Sequence, residues 1–171
     1  MNRALLTLLT LFTLAAPLSA WNTGISYTLS PSPLFNWTWS PALDGMALGW
    51  DFSTGGKVAS LRGGLEAGVQ GLGLQLLLPL SVEAQLWQHG SQGVAAGAGG
   101  IIGIAMFKPA PLLILGAQAG ASWSIYWSAQ WGLEASLNIR YLTSPAYSRL
   151  VAPYQVVDLP VSVGLRYRGA R

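Results

Sequence analysis

The sequence predicts an all-β fold, an eight-stranded antiparallel up-and-down transmembrane β-barrel. Long stretches alternate apolar and polar residues with the two-residue period of a strand. Gly-rich and Pro-rich turn signals separate these stretches. Only 9% of the residues are charged, although 51% are hydrophobic, and a soluble domain usually has about 25% charged residues. Much of the surface is therefore expected to face something other than water.

The clearest strand covers residues 129–141. One parity is apolar throughout: Ala129, Trp131, Leu133, Ala135, Leu137, Ile139 and Tyr141. The other parity is polar or glycine: Gln130, Gly132, Glu134, Ser136, Asn138 and Arg140. The last predicted strand, residues 155–168, alternates in the same way. Both are longer than the roughly 5–6 residues of a soluble strand and long enough for the roughly 9–11 of a tilted membrane strand.

The N-terminus has the pattern of a cleaved export signal over residues 1–20. Arg3 supplies the positive charge, residues 5–16 form an apolar segment, and Leu18-Ser19-Ala20 is a small-residue cleavage site. A membrane anchor is the weaker alternative, because a spanning helix needs about 20 apolar residues. The barrel domain is predicted to cover residues 21–171.

Six further strands complete the count of eight: residues 21–30, 43–52, 58–70, 74–87, 94–107 and 112–127. Pro31 and Pro33 are expected to end the first, since proline cannot donate to a ladder. Residues 35–39 fit either a strand extension or a loop. A helical hairpin over residues 94–125 competes with two strands, but prolines divide it into short pieces and dense glycine disfavours helix.

The charged residues of the strands lie on the polar parity. They are Asp51, Arg62, Glu66, Glu83, Glu134, Arg140, Asp158, Arg166 and Arg168. Centring each hairpin on its turn places Arg62 beside Asp51 and Glu83, Glu134 near Arg166, and Arg140 near Asp158. Balanced, paired ions suit a narrow lumen, where an unpaired ion is costly. In the alternative, a soluble sandwich or lipocalin-like cup, the charges would face outward.

Aromatic residues cluster near the predicted strand ends. With the N-terminus on the periplasmic side, one rim has Trp21, Phe52, Trp127, Trp131 and Tyr167, and the other has Phe107 and Tyr141. Such girdles mark the interfaces of membrane barrels. The alternative is that the tryptophans fill a core.

The last strand, Leu-Pro-Val-Ser-Val-Gly-Leu-Arg-Tyr-Arg over residues 159–168, resembles the C-terminal strand of outer-membrane β-barrel proteins, with matching Ser162, Gly164 and Tyr167. The usual terminal Phe is absent, and Gly-Ala-Arg follows. Residues 21–168 as a whole resemble, in pattern, the small eight-stranded class of the OmpA transmembrane domain, OmpX and OmpW. The resemblance implies an exported outer-membrane protein whose partner is the lipid bilayer.

Three functions are considered. The first is a structural or surface-interaction barrel with a lumen filled by side chains, because an eight-stranded barrel has room for little else. Its contact surface would be two long loops, residues 31–42 and 143–153, with Phe35, Trp37, Trp39, Tyr147 and Arg149 meeting an extracellular ligand. The second, implied by the OmpW resemblance, is a narrow channel or transporter for small or hydrophobic solutes, for which interior glycines would leave space. Glycine that only relieves crowding is the alternative.

The third function is a lipid-modifying enzyme, for which the one histidine, His89, is a weak candidate because it lies in a predicted turn. We therefore expect no enzyme activity and no cofactor or metal site. The basic residues are scattered, so no nucleic-acid partner is expected. The oligomeric state is left open.

Overall fold

The structure is a computed structural model, and it describes residues 21–35, 38–55, 58–70, 73–106, 111–144 and 154–169. Nearly all of them lie in nine strands: β1 Trp21–Phe35, β2 Thr38–Gly55, β3 Ala59–Gln70, β4 Gly73–His89, β5 Gln92–Met106, β6 Pro111–Tyr126, β7 Trp131–Ser144, β8 Tyr154–Asp158 and β9 Val161–Arg168. No helix long and apolar enough to cross a membrane occurs in these ranges. The export signal predicted over residues 1–20 lies outside them.

The strands form one closed antiparallel barrel. Each strand from β2 to β7 pairs with the next in the chain, and β1 closes the ring by pairing with β2 on one side and with β8 and β9 on the other. Both β8 and β9 also pair with β7. They are therefore two halves of one barrel strand, and the predicted all-β, eight-stranded up-and-down barrel is confirmed.

The strands are strongly tilted. Following paired residues around the barrel leads through Trp21, Thr54, Leu61, Val82, Ala98, Ala119 and Ile139. Leu159 is opposite Ile139 in the register that continues from Arg140–Asp158 to Leu137–Val161. The Leu159 N–H donates to the carbonyl of Pro31. Pro31 lies ten residues beyond Trp21, the residue of β1 from which the path began. This stagger corresponds to a tilt of about 40°. At that tilt, a 15-residue strand such as β5 rises about 38 Å, which exceeds the roughly 25 Å apolar band of membrane barrels.

The two faces of the sheet have the predicted orientation. Apolar residues point outward, as at Leu76, Leu137 and Val163, which are 46%, 58% and 49% exposed. Arg140 and Arg166 point inward and are each 4% exposed. None of the nine ions predicted for the lumen is classed as exposed. A soluble cup would have the opposite arrangement.

The last strand departs from the prediction of a continuous segment. It is interrupted at Leu159 and at the buried Pro160, which has no N–H for the ladder. On the β7 side the register continues, because Arg140 pairs with Asp158 and Leu137 pairs with Val161. The Asn138 N–H donates to the Pro160 carbonyl.

The prolines near residue 31 do not end the first strand as predicted. β1 continues to Phe35, and β2 begins at Thr38, so the segment 31–42 is largely a strand hairpin and not a loop. The register of β1 against β2 shifts between Ser30 and Pro31 and again between Ser32 and Leu34. These irregularities accommodate the prolines without ending the strand.

Smaller differences occur at two turns of the same rim. Ala129 and Gln130 were predicted within the seventh strand but lie in a turn, where the hydroxyl of Ser128 accepts the Trp131 N–H at 2.8 Å. In β4, the pairing with β5 shifts between Gln85 and Trp87, so Leu86 lies in a bulge.

We call the end of the barrel with Trp21, Gly90 and Ser128 the N-terminal rim, and the end with Gly73 and Ser144 the far rim.

Leu137 lies midway along β7 on the outer face, so replacing it with arginine would place a charge at the centre of the apolar band. We expect L137R to lower the free energy of unfolding in phospholipid vesicles by about 2–4 kcal/mol. The matched control, L86R, changes a leucine of similar exposure at the N-terminal rim and should cost about 0–1 kcal/mol. Urea titrations in vesicles measure both values. Equal costs would contradict a lipid-facing outer surface.

Candidate functional site

The lumen near the N-terminal rim contains five ions from five strands. Asp51 of β2, Arg62 of β3, Glu83 of β4, Glu134 of β7 and Arg166 of β9 all lie on the inner face. We call them the ion cluster. Each strand alternates, so one inward position per strand is enough to converge on the barrel axis.

Arg62 is the centre of the ion cluster. Its Nη2 atom lies 2.9 Å from Asp51 Oδ2 and 2.8 Å from Glu134 Oε1, and its Nη1 atom lies 3.0 Å from Glu83 Oε1. The contacts with Asp51 and Glu83 are those expected from hairpin pairing. The contact with Glu134 crosses the lumen and was not expected, because β3 and β7 are not neighbours in the sheet.

Arg166 completes the ion cluster from the opposite wall. It forms a bidentate ion pair with Glu134, in which Nε and Nη2 each lie 2.9 Å from a carboxylate oxygen. Its Nη1 atom contacts Asp51. The planar guanidinium suits this bidentate geometry. Asp51 and Glu134 are thus shared between two arginines, and the cluster combines three carboxylates with two guanidiniums in a single network.

A second polar layer lies closer to the far rim. Arg140 Nη2 is 2.7 Å from Glu66 Oε1, across the lumen from β7 to β3. Arg140 and Asp158 are direct cross-strand partners, so they lie near each other as predicted. The ion pair of Arg140, however, is with Glu66. Arg168 lies apart from both layers, with its guanidinium 3.9 Å above the ring of Tyr126 at the N-terminal rim.

A layer of apolar side chains fills the lumen beyond the second polar layer. It consists of Leu77, Ile101, Ala105, Leu112, Ile114, Leu142, Tyr154 and Val156, all 9% exposed or less. These residues lie on the same parity as the lumen ions, at strand ends near the far rim. Sequence reasoning missed this apolar layer because it treated the inner parity as polar along its whole length.

The main cavity lies around the ion cluster. Its volume is about 80 Å³, and the cluster residues line it together with Gln118, Ser136 and Asn138. Since one water needs at least about 10–15 Å³, this volume has room for a few waters. The arrangement is therefore a small polar chamber and not a wide channel.

The inner glycines leave room for neighbouring groups. A Cβ atom on Gly97 would lie 2.7 Å from the Val82 carbonyl oxygen and 2.9 Å from Glu83 Cγ. A Cβ on Gly24 would lie 2.9 Å from Arg166 Cδ. At these two positions, glycine relieves crowding around the ions and does not leave an open passage.

Aromatic residues surround the N-terminal rim. Trp21, Phe52, Trp127 and Trp131 are 46%, 45%, 61% and 46% exposed. The ring of Tyr167 lies 5.8 Å from Trp21 and 5.0 Å from Trp131. Three further exposed tryptophans on this half were not assigned to the girdle from the sequence: Trp50, Trp87 and Trp123. For Trp87 the signal was hidden by the bulge at Leu86.

The predicted far-rim and loop residues are only partly described. Tyr141 is half-buried in β7, and Phe107 lies outside the described residues. For Phe35 and Trp39 the sequence leaves a strand extension and a loop open, and the structure places them in β1 and β2, because the hairpin extends past the prolines. Trp37, Tyr147 and Arg149 lie outside the described residues.

His89, the weak catalytic candidate, ends β4 at the N-terminal rim. It is exposed, and its ring stacks on Trp87 with a centroid distance of 6.1 Å. Within the described part of the chain, no three His, Cys, Asp or Glu residues are grouped so as to hold a metal ion.

Removing Arg62 should destabilise the barrel, because its three carboxylate partners would remain buried with less compensation. We expect R62M to lower the free energy of unfolding by about 3–5 kcal/mol. The matched control is R168M, which removes an arginine stacked on a ring at the rim and should cost about 1 kcal/mol or less. Urea titration measures both.

A second substitution tests the cause of the loss. E83Q introduced into R62M removes one uncompensated carboxylate, so it should recover part of the lost stability. If E83Q lowered stability equally with and without Arg62, the two residues would not be coupled, and the ion cluster would not act as a network.

No protein-family profile matches the chain, and no curated protein matches it by sequence. Similar solved structures exist. Neisserial surface protein A (NspA) matches with a TM-score of 0.60 at 11% identity, covering 86% of this chain and 95% of that chain. The N-terminal β-barrel domain of Pseudomonas aeruginosa OprF matches with a TM-score of 0.59 at 11% identity, covering 86% and 96%.

Ail, the attachment invasion locus protein of Yersinia pestis, matches with a TM-score of 0.57 at 11% identity, covering 88% of this chain and 98% of that chain. These neighbours are small eight-stranded outer-membrane β-barrels. At this level of identity the likeness concerns the fold. The resemblance inferred from the sequence is confirmed in that sense: the chain has the fold of the small outer-membrane barrels.

Proposed function

We propose that this protein is an outer-membrane β-barrel with a closed lumen and a structural or surface-interaction role. The N-terminal rim faces the periplasm, and the far rim faces outward. The observation that carries the proposal is the filling of the lumen, in order along the axis, by the ion cluster, the Glu66–Arg140 pair and the apolar layer. The export signal over residues 1–20 delivers the chain to the envelope.

The outer surface supports insertion in a bilayer. Each of the eight barrel strands contributes exposed apolar side chains, including Ile25, Leu48, Leu65, Leu78, Ile102, Leu113, Leu137 and Val163. A monomer in water rarely exposes an apolar patch larger than about 300–600 Å². A continuous apolar belt around a barrel fits hydrocarbon, with the exposed tryptophans of the N-terminal rim at the interface.

The lumen favours a closed barrel over a conduit. A solute would have to displace three arginines from their carboxylates and then pass side chains such as Ile114 and Leu142, which are fully buried. Separating a buried ion pair leaves uncompensated charge in a low-dielectric space, which is costly. The narrow channel for small or hydrophobic solutes is therefore the alternative to be tested.

The surface-interaction role is placed on the far rim. The residues proposed to contact an extracellular ligand are Phe35, Trp37, Trp39, Tyr147 and Arg149, at the β1–β2 hairpin and between β7 and β8. Aromatic residues and arginine are the side chains that most often carry binding energy at interfaces. One structural neighbour is named as an attachment protein, which supports an interaction role of this kind.

Conductance distinguishes the closed barrel from the conduit. In planar bilayers, the folded protein should produce no stable single-channel steps, because ion pairs and apolar side chains block the lumen. Protection of the inserted barrel from trypsin serves as the control that the protein is present in the membrane. A large, stable conductance from protease-protected protein would overturn the closed-lumen proposal and support the channel.

A further inference from the structure

A second, smaller cavity lies between the ion cluster and the apolar layer. Its volume is about 20 Å³, and Glu66, Arg140, Asp158, Ser30 and Gln75 are among its lining residues. Glu66 and Arg140 also line the main cavity, so their ion pair separates the two spaces. Ser30 belongs to β1 and Asp158 to β8, the strands that close the barrel. We call this space the seam cavity.

Three of the residues that line the seam cavity each have a buried polar atom without a hydrogen-bond partner. Glu66 Oε2, Arg140 Nε and Asp158 Oδ1 are buried and have no hydrogen-bond partner among the described residues. Asp158 is 1% exposed and Arg140 is 4% exposed. Unsatisfied buried groups cost folding free energy, and charged ones cost the most.

The three side chains are neighbours in space. Arg140 Nη2 is 2.7 Å from the other oxygen of the Glu66 carboxylate. Arg140 and Asp158 are direct cross-strand partners on the inner face. One small molecule in the seam cavity can therefore reach all three residues.

The hydrogen-bonding needs of the three atoms indicate which small molecule fits the seam cavity. The two carboxylate oxygens need donors, and the guanidinium Nε–H needs an acceptor. Water supplies two O–H donors and a lone pair, whereas a metal or ammonium ion has no lone pair to accept from Nε–H. The volume also suits one water, which needs at least about 10–15 Å³. We propose that the seam cavity binds one water molecule, which donates to Glu66 and Asp158 and accepts from Arg140.

The position of this water gives it a structural role. The regular pairing of β1 with the last strand stops at Leu29–Val161 and resumes at Leu34–Val157. From Leu29 to Leu34, β1 advances five residues while its partner advances four, so the two strands are out of step here. The bound water connects β3, β7 and β8 behind this irregular seam, through side chains and not through the ladder.

A crystal structure of the wild-type protein, grown in rubidium chloride and resolved well enough to show waters, tests the proposal directly. We expect one density peak within about 2.7–3.2 Å of the three atoms, with no rubidium anomalous signal. An anomalous peak at the site would overturn the proposal in favour of a cation. Direct contact of Asp158 with Arg140 and an empty cavity would overturn it as well.

A pair of variants provides an independent test. Ala47 lines the seam cavity and Ala95 lines the main cavity, so A47V and A95V add the same volume at the two places. A47V should displace the water and leave three polar atoms unsatisfied, so its urea midpoint should fall below that of A95V. A midpoint for A47V equal to or above that of A95V would overturn the proposal. If A47V does not fold, the wild-type crystal structure decides.

Discussion

Charge compensation inside a hydrocarbon-bounded barrel is the constraint on which the rest of this structure depends. A lumen this narrow cannot solvate three carboxylates separately, so each must meet a guanidinium. Arg62 and Arg166 provide this compensation for Asp51, Glu83 and Glu134. Because these ions pair with one another on the inner face, no partner charge is needed on the outer face, and the outer face of each strand can be apolar.

The lumen is graded along its axis as a consequence. The ion cluster and the main cavity lie near the N-terminal rim, the Glu66–Arg140 pair lies in the middle, and the apolar layer lies toward the far rim. The ion cluster thus lies on the side with the larger of the two described cavities. The apolar layer stabilises the opposite half without any need for partners, as in the core of a soluble protein.

Much of the fold could be predicted from the sequence because the side chains of a strand alternate between its two faces with a period of two residues. The parity that contains Glu134 and Arg140 had to oppose the parity that contains Leu137, and short turns fixed which strands are neighbours. The contacts of Arg62 with Asp51 and Glu83 follow from that pairing. The contacts of Arg62 with Glu134 and of Arg140 with Glu66 do not, since they cross the lumen and depend on closure and stagger.

The sequence does not predict the features in which the local pattern of apolar and polar residues differs from the position of the side chains in the fold. Leu77, Ile114 and Leu142 interrupt the polar parity, so alternation alone could not assign them to the lumen. The bulge at Leu86 shifts the register before Trp87. Pro31 was expected to end β1 because it cannot donate, but its carbonyl still accepts from Leu159, and the strand continues.

Lipid and water accessibility along β7 tests the central claim most directly. The chain has no cysteine, so single cysteines at residues 133–139 can each carry a spin label in phospholipid vesicles. The account predicts that oxygen, which partitions into lipid, relaxes labels at Leu133, Ala135, Leu137 and Ile139 more than those at Glu134, Ser136 and Asn138. A reversed alternation, or none, would contradict an apolar exterior facing lipid and ions facing the lumen.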